Sequence, residues 1–157
     1  MSEKTNVMRI LDQKKIKYKH FEYDPTGDFS GEAVAIALSQ SPKQVFKTLV
    51  TVGKSGDHYV FVIPVNQELD LKKAAKAVGE KSVAMIKLKE LLPLTGYIHG
   101  GCSPIGMKKF FTTTFDSSAE AFSTIIFSAG KIGFQVELSP DNLKKVIHYR
   151  LCDLVQS

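Results

Sequence analysis

Two runs of β-branched and aromatic residues, separated by a short glycine-containing segment, constrain the fold of this chain more than any other feature. The runs cover residues 45–52 and 59–65, and Gly53 and Gly56 lie between them. Valine, isoleucine and the aromatic residues favour strands, and a short connection that contains glycine favours a reversal of the chain. The sequence therefore predicts a β-hairpin over residues 45–65.

Shorter patterns on both sides of the hairpin predict further strands and short helices. Ser30 and Asp70 are expected to cap two of the helices, and Pro93 is expected to stop a third after Leu92. The predicted helices cover residues 4–16, 32–38, 71–78, 88–92 and 140–146. The remaining predicted strands cover residues 18–23, 83–86, 110–114, 124–127, 134–138 and 149–155.

Because the strands outnumber the helices and occur in clusters, we predict an α+β fold with a mixed, strongly curved sheet. The length suggests a single domain over residues 1–157. Hydrophobic residues make up 43% of the chain and charged residues 24%, which excludes a disordered or low-complexity protein. The longest apolar run is far shorter than the roughly 20 residues that span a bilayer. With no evident leader and only two cysteines, we expect a cytoplasmic location.

The chain is basic, and its positive charge comes almost entirely from lysine. Lysine and arginine total 21 against 16 acidic residues, and only Arg9 and Arg150 are arginines. Lysine attracts phosphate as a point charge and is poorly suited to bidentate reading of bases. Solvated helix faces and a diffuse surface for an RNA backbone both agree with this pattern, and the charge alone does not separate them.

Metal and nucleotide sites are disfavoured by the spacing of the relevant residues. The four histidines and two cysteines lack metal-ligand spacing, so no metal is expected. Gly101 and Gly106 imitate part of a phosphate-binding P-loop, but Met107 stands where that loop requires lysine, which excludes nucleotide hydrolysis. The adjacent Gly100 and Gly101 indicate either a structural turn or a backbone nest for an anion.

Three side chains remain as candidates for chemistry, each with an ordinary alternative. Lys47 lies within an apolar strand, so it either extends to solvent or points into a pocket with a specific partner. Cys102 is either a nucleophile, with His99 or His148 as its base, or a packed side chain. Ser128, ahead of Ala-Gly-Lys, is either a turn residue or a ligand-binding residue.

Four segments together resemble the YbaK/EbsC family, the free-standing relatives of the editing domain of bacterial prolyl-tRNA synthetases. They occur in the family's order and spacing, and the resemblance covers nearly the whole chain. The segments are Phe-Lys-Thr-Leu-Val at 46–50, Leu-Lys-Lys-Ala-Ala at 71–75, Thr-Gly-Tyr-Ile-His-Gly-Gly-Cys-Ser-Pro-Ile-Gly at 95–106 and Ser-Ala-Gly-Lys at 128–131. The resemblance implies a compact fold around a curved, barrel-like sheet.

The resemblance also implies trans-editing, the cleavage of the ester that joins a wrong amino acid to tRNA(Pro). The Cys-tRNA(Pro) deacylase branch is the most similar. Lys47 matches the family's essential lysine, and Gly100 and Gly101 match a loop whose backbone contacts the aminoacyl group. The expected pocket residues are Tyr23, Ser128 and, as an apolar wall, Phe29. The implied partners are mischarged tRNA(Pro) and prolyl-tRNA synthetase, with no DNA, membrane, metal or cofactor.

The resemblance to this branch implies that the thiol of the substrate's own cysteine attacks the ester carbonyl, so that no protein nucleophile is required. Three alternatives remain open at this stage. The first is a sister-branch deacylase that removes alanine from tRNA(Pro), or clears another mischarged tRNA, with water as nucleophile. The second is a non-catalytic module that binds tRNA or the synthetase. The third is a small-molecule ester or thioester hydrolase that uses Cys102.

Overall fold

Short helices alternate with strands along the chain, as the sequence predicts. The computed structural model describes residues 3–28 and 30–157. The helices are α1 (Asn6–Gln13), α2 (Gly31–Ala37), α3 (Leu71–Val78), α4 (Leu88–Thr95) and α5 (Pro140–Leu143). The strands are β1 (Lys19–Glu22), β2 (Phe46–Gly53), β3 (His58–Pro64), β4 (Val83–Met85), β5 (Thr112–Asp116), β6 (Ile125–Ser128), β7 (Phe134–Leu138) and β8 (Arg150–Cys152). A 3₁₀ helix, Ser117–Ala121, which the sequence does not predict, follows β5.

The strands form two sheets that meet at one point. The predicted hairpin, β2 and β3, lies in the five-stranded sheet, whose order is β4-β2-β3-β5-β8. The three-stranded sheet has the order β1-β7-β6. A parallel bridge between Val45 and Ile126 joins them. The α+β class is confirmed, but the described strands divide into two sheets rather than one, and neither sheet closes into a barrel.

Both faces of the five-stranded sheet are buried, which explains why the two hairpin runs are almost continuously apolar. On one face, Phe46 and Val50 belong to the main core together with α1 and the three-stranded sheet. On the other face, Phe61 and Ile63 pack against Ala74 of α3 in a second core. A hydrophobic face therefore lies on each side of β3.

The predicted caps form. The Ser30 hydroxyl accepts a hydrogen bond from the Ala33 N–H at the start of α2, and the Asp70 carboxylate accepts from the first turn of α3. Such caps satisfy N–H groups that have no partner within the helix. No helix of the described residues is long and apolar enough to cross a membrane.

The prediction that Pro93 stops the fourth helix after Leu92 is wrong, because α4 continues to Thr95. Proline has no N–H and cannot donate to the carbonyl four residues earlier, that of Lys89. Lys89 and Pro93 are both exposed, so water can bond that carbonyl instead. The helix ends at Gly96, whose φ of 84° places it in the left-handed region.

The buried carboxylate of Asp116 is expected to be a large single contributor to stability. It is 4% exposed and accepts hydrogen bonds from the Ser118 N–H and hydroxyl and, at 3.0 Å, from the Leu154 N–H. Asp116→Ala leaves buried donors unpaired and should lower the free energy of unfolding by about 3 kcal/mol. Urea denaturation measures this change.

The matched control for Asp116 is Asp153→Ala, which removes an exposed carboxylate that is paired with Lys73 at 3.0 Å. Exposed ion pairs contribute about 0–1 kcal/mol, so the control should lose less than about 1 kcal/mol. Equal losses in the two variants would contradict the structural role given to Asp116.

Candidate active site

A cleft of about 650 Å³ opens where the two sheets meet. This volume is typical of sites that bind small molecules. One part of the lining comes from Tyr23, residues 27–28 and the start of α2, another from the loop that follows α4, and a third from the first half of β2. The cleft is lined by Tyr23, Gly27, Asp28, Ser30, Gly31, Glu32, Val34, Val45, Phe46, Lys47, Thr48, Leu49, Val65, Glu68, Leu91, His99, Gly100, Cys102, Ser128 and Gln135.

Lys47 lies on β2 and lines the cleft, as the second of the two placements considered from the sequence requires, and a specific partner for it there stays a prediction. Its side chain is 31% exposed, and its Nζ lies 4.0 Å from Oε1 of Glu68. Glu68 is mostly exposed, so this contact contributes little to stability. The ammonium group is therefore held on a rigid strand and remains available to a ligand.

The edge of β2 beside Lys47 is open towards the cleft. On this edge, β2 pairs with β4 from Thr51 onward, and the bridge to β6 is at Val45. Between these two partners, along residues 46–49, β2 is paired among the described residues only with β3, on its other edge. The Thr48 hydroxyl is buried there and has no hydrogen-bond partner among the described residues. Backbone and side-chain groups in this gap can bond to a molecule in the cleft.

The two adjacent glycines have different roles. Gly100 lines the cleft and has a φ of 89°, in the left-handed region that favours glycine. The Gly101 N–H donates to the Ile98 carbonyl at 3.0 Å, and Gly101 is buried behind the cleft lining. A Cβ at Gly101 would lie 3.1 Å from the Ile132 backbone nitrogen. Gly101 thus allows two loops to approach closely, and Gly100 faces the cleft.

The turn after β6 contributes Ser128 to the cleft and packs against the loop that contains Gly100 and Gly101, here called the glycine loop. The Ser128 hydroxyl accepts from the Gly130 N–H at 3.1 Å. Gly130 has a φ of 91°, and a Cβ there would lie 2.9 Å from the Tyr97 ring. The Tyr97 hydroxyl in turn donates to the Ile105 carbonyl. Ser128 therefore shapes this turn and lines the cleft, so both roles considered for it from the sequence are compatible with its position.

Tyr23 lies directly after β1, and its N–H donates to the Gly133 carbonyl at 2.9 Å. This bond holds the start of the cleft wall against the loop before β7. Of the expected site residues, the structure brings Tyr23, Lys47, Gly100 and Ser128 to one cleft, with Gly101 behind it. Phe29, the expected apolar wall, lies outside the described residues.

Sequence reasoning missed Gln135 at the cleft and its hydrogen-bond partner Gln40. Gln135 of β7 lines the cleft although it is 5% exposed, and its Oε1 accepts from Gln40 Nε2 at 2.8 Å. The Gln40 Oε1 is buried and has no partner among the described residues. The two glutamines are 95 residues apart in the chain. No local signal marked Gln135, because it alternates with the apolar Phe134 and Val136 and shares its face of β7 with Glu137, the pattern of an outward-facing residue.

Cys102 lines the cleft but is a poor nucleophile. Burial raises the pKa of its thiol to about 12, so the thiol remains protonated near neutral pH. His148, one of its two candidate bases, lies outside the cleft lining, in a groove beside Phe110, and His99 is exposed at the cleft rim. Within the described ranges, no three His, Cys, Asp or Glu side chains are grouped to hold a metal ion.

The raised pKa predicts slow alkylation of Cys102 in the folded protein. A shift of the pKa from 9.0 to about 12 lowers the thiolate fraction at neutral pH by about a thousandfold. Iodoacetamide labelling followed by mass spectrometry should therefore detect Cys102 far more slowly in the native protein than in urea. Equal rates in the two conditions would contradict a buried, protonated thiol.

The packing of the two loops predicts that Gly101→Ala is destabilising. Its Cβ would lie 3.1 and 3.3 Å from the backbone of Ile132 and Lys131, so the loops must separate. Overpacking of this kind costs about 1–3 kcal/mol in the free energy of unfolding. Gly27→Ala is the control, because Gly27 lines the same cleft and has no atom within 4 Å of its Cβ position. Gly27→Ala should leave stability unchanged or slightly raised in urea denaturation.

Comparison with known proteins identifies the family. Residues 28–146 match the model of the aminoacyl-tRNA editing domain. EbsC of Enterococcus faecalis, named as a candidate Cys-tRNA(Pro)/Cys-tRNA(Cys) deacylase, is 49% identical over 153 residues, which cover 97% of this chain and 93% of that protein. The prolyl-tRNA editing protein ProX of Acetoanaerobium sticklandii is 26% identical, over 94% of this chain and 92% of that one.

A solved structure agrees with the fold. The crystal structure of a candidate trans-editing enzyme for prolyl-tRNA synthetase has a TM-score of 0.82 and 23% identity, covering 96% of this chain and 95% of that one. The resemblance that the four sequence segments indicate is thereby confirmed. The chain belongs to the aminoacyl-tRNA editing domain family, in its YbaK/EbsC group.

Proposed function

We propose that this protein is a trans-editing aminoacyl-tRNA deacylase that removes cysteine from mischarged Cys-tRNA(Pro). The observation that carries the proposal is the position of Lys47, on the open edge of β2 and in the same cleft as the Gly100 loop. A cation and backbone N–H groups that meet across a cleft suit the negative charge that develops when an ester is cleaved. The name of the similar EbsC protein supports cysteine as the amino acid.

The glycine loop offers two N–H groups for this charge. The Gly101 N–H is used within the loop, by the Ile98 carbonyl. Among residues 3–28 and 30–157, the N–H groups of Gly100 and Cys102 have no hydrogen-bond acceptor, and both residues line the cleft. In the proposed complex, the ester carbonyl oxygen lies between one of these N–H groups and the Lys47 ammonium. The 3′-terminal phosphate is the other partner that Lys47 can bind.

The chemical step uses the thiol of the substrate. Its sulfur attacks the ester carbonyl carbon, a carbon–sulfur bond forms, and the bond from that carbon to the ribose 3′ oxygen breaks. The thiol proton passes to the 3′ oxygen, which leaves a cyclic thiolactone and free tRNA. An attack within one molecule, held in the right geometry, lowers the barrier by about 7–11 kcal/mol at most. The cleft needs to supply only that geometry and the stabilisation of charge.

The protonated state of Cys102 supports this route over a protein nucleophile. With a pKa of about 12, this thiol presents almost no thiolate to a bound ester near neutral pH. The substrate thiol, in contrast, brings the nucleophile to the carbonyl of its own ester. Cys102→Ser should therefore retain most of the deacylase activity.

The choice of tRNA(Pro) is proposed to come from a partner rather than from base reading. The chain contains two arginines, Arg9 and Arg150, and arginine is the residue that reads guanine most often. We propose that docking on prolyl-tRNA synthetase presents the mischarged tRNA(Pro), while the lysine-rich surface contributes contacts that do not depend on sequence.

Lys47→Ala tests the proposal directly. Loss of a cation that stabilises the developing charge should lower the rate of Cys-tRNA(Pro) deacylation by about 10²–10³-fold, with the circular dichroism spectrum unchanged. The control is Lys54→Ala, which removes an exposed lysine beyond the opposite end of the same strand and should retain wild-type activity. Ala-tRNA(Pro) is assayed in parallel.

The assay separates the candidate functions. Lys47-dependent loss of the cysteinyl ester alone supports the substrate-thiol route. Cleavage of the alanyl ester by the wild-type protein would assign it to a branch that uses water. A protein that binds tRNA but cleaves neither ester would be a binding module, and the proposed activity would then be wrong.

A further inference from the structure

An exposed surface beside the cleft combines apolar side chains with lysines. We call it the α4 surface, and it consists of Leu88 and Leu92 of α4 together with Ile98, Lys108, Lys109 and Phe110. Phe110 is 81% exposed and Leu88 is 68% exposed, which is unusual for large apolar side chains. Such exposure indicates a surface that another molecule covers.

The α4 end of this surface adjoins the rim of the cleft, whereas Phe110 lines a second groove with Val146, Ile147 and His148. Leu91 lines the cleft from the inner side of α4, while Leu88 and Leu92 lie on its outer side. Ile98 directly precedes His99 and Gly100, which also line the cleft. The Lys108 N–H donates to the Thr95 carbonyl at 2.9 Å, so the lysine segment is fixed to the end of α4.

The lysines of this region lack acidic partners. Among the described residues, Lys87, Lys89, Lys108 and Lys109 form no ion pair within 4.0 Å, a property that they share with most of the lysines, of which five form one, including Lys73 and Lys144. One acidic residue, Glu90, occurs between residues 87 and 111. Their positive charge is therefore not neutralised within the protein.

The part of the cleft beside the start of α2 is acidic. Asp28 and Glu32 line the cleft there and are exposed, whereas Glu68, a third exposed carboxylate of the lining, lies 4.0 Å from Lys47. A polyanion that enters the cleft with its end at Lys47 is repelled on that side and attracted towards the α4 surface. The electrostatic asymmetry gives the polyanion one favoured path across the rim.

We propose that the α4 surface binds the single-stranded 3′ end of the tRNA acceptor arm. Lys108 and Lys109 contact phosphates, and the Phe110 ring stacks on an unpaired base. Lysines next to an exposed aromatic ring are the arrangement with which proteins bind single-stranded nucleic acid without reading its sequence. This inference rests on the proposed function, because an aminoacyl ester at Lys47 requires the adjoining nucleotides to leave across the rim.

Binding of uncharged tRNA(Pro) transcript, measured by filter binding over a range of salt concentrations, tests the proposal without any turnover. Lys108→Ala/Lys109→Ala should weaken binding by about tenfold and reduce the slope of log affinity against log salt by roughly one unit per lysine. Phe110→Leu should weaken binding with little change in that slope, because stacking releases no counterions.

The matched control is Lys54→Ala/Lys81→Ala, which removes the same charge from two exposed lysines at the other end of β2. The Lys54 N–H donates to the Ser82 carbonyl, and Lys54 lies seven strand residues, roughly 20 Å, from Lys47. The control should bind tRNA nearly as well as the wild-type protein. Equal weakening in the control and in the Lys108/Lys109 variant would overturn the proposal, as would a wild-type protein that does not bind the transcript.

Two further experiments identify the molecule that binds the α4 surface and separate this inference from the proposed activity. If the Phe110 variant loses binding to prolyl-tRNA synthetase in a pull-down while its tRNA binding is unchanged, the surface binds a protein and the inference is wrong. The cysteinyl ester of adenosine lacks the adjoining nucleotides, so the α4-surface variants should cleave it at the wild-type rate. A wild-type protein that binds tRNA at this surface but cleaves no ester would refute the activity alone.

Discussion

The bridge between Val45 and Ile126 is the constraint on which the cleft depends. It joins the two sheets at the first residue of the hairpin, so β2 starts beside β6 and only later acquires β4 as its neighbour. The interval between these two partners is where Lys47 and Thr48 lie. The proposed functional site at this position agrees with the topology, because backbone groups stay unpaired there while the strand itself remains rigid.

Two close approaches of backbone then complete the walls. Gly101 lets the loop after α4 lie against the turn after β6, and Gly130 lets that turn lie against Tyr97. A side chain at Gly101 would push the two loops apart, and one at Gly130 would push the turn away from Tyr97. The glycines of the two motifs are thus explained by packing, and the residues next to them, Gly100 and Ser128, are the ones that face the cleft.

Local sequence signals were sufficient for most of the elements, because hairpins, caps and helix ends are encoded within a few residues. The helix over residues 71–78, with Asp70 before it and Gly79 after it, has the predicted bounds. Features that depend on distant residues were not predictable. The connection between the two sheets rests on one bridge across 81 positions of the chain, and the Gln40–Gln135 pair spans 95.

Within the site, a similar distinction holds. Lys47 could be named as a candidate from the sequence because a charge within an apolar strand is conspicuous, but the elements that surround it in the cleft come from distant parts of the chain. The state of Cys102 depended on burial, which no local pattern reveals. Pro93 was misjudged because a solvent-facing proline costs a helix less than an inward-facing one, and the exposed side of α4 is a property of the fold.

The open edge of β2 has a consequence for the solubility of the protein. Unpaired strand edges can template the addition of a strand from another chain and so lead to aggregation. Here the open stretch is four residues long and lies at the bottom of a walled cleft, where a foreign strand has no straight approach. The outer edges of the five-stranded sheet, β4 and β8, have three residues each, and β1 carries Lys19 and Glu22. The protein thus presents this unpaired edge to ligands small enough to enter the cleft.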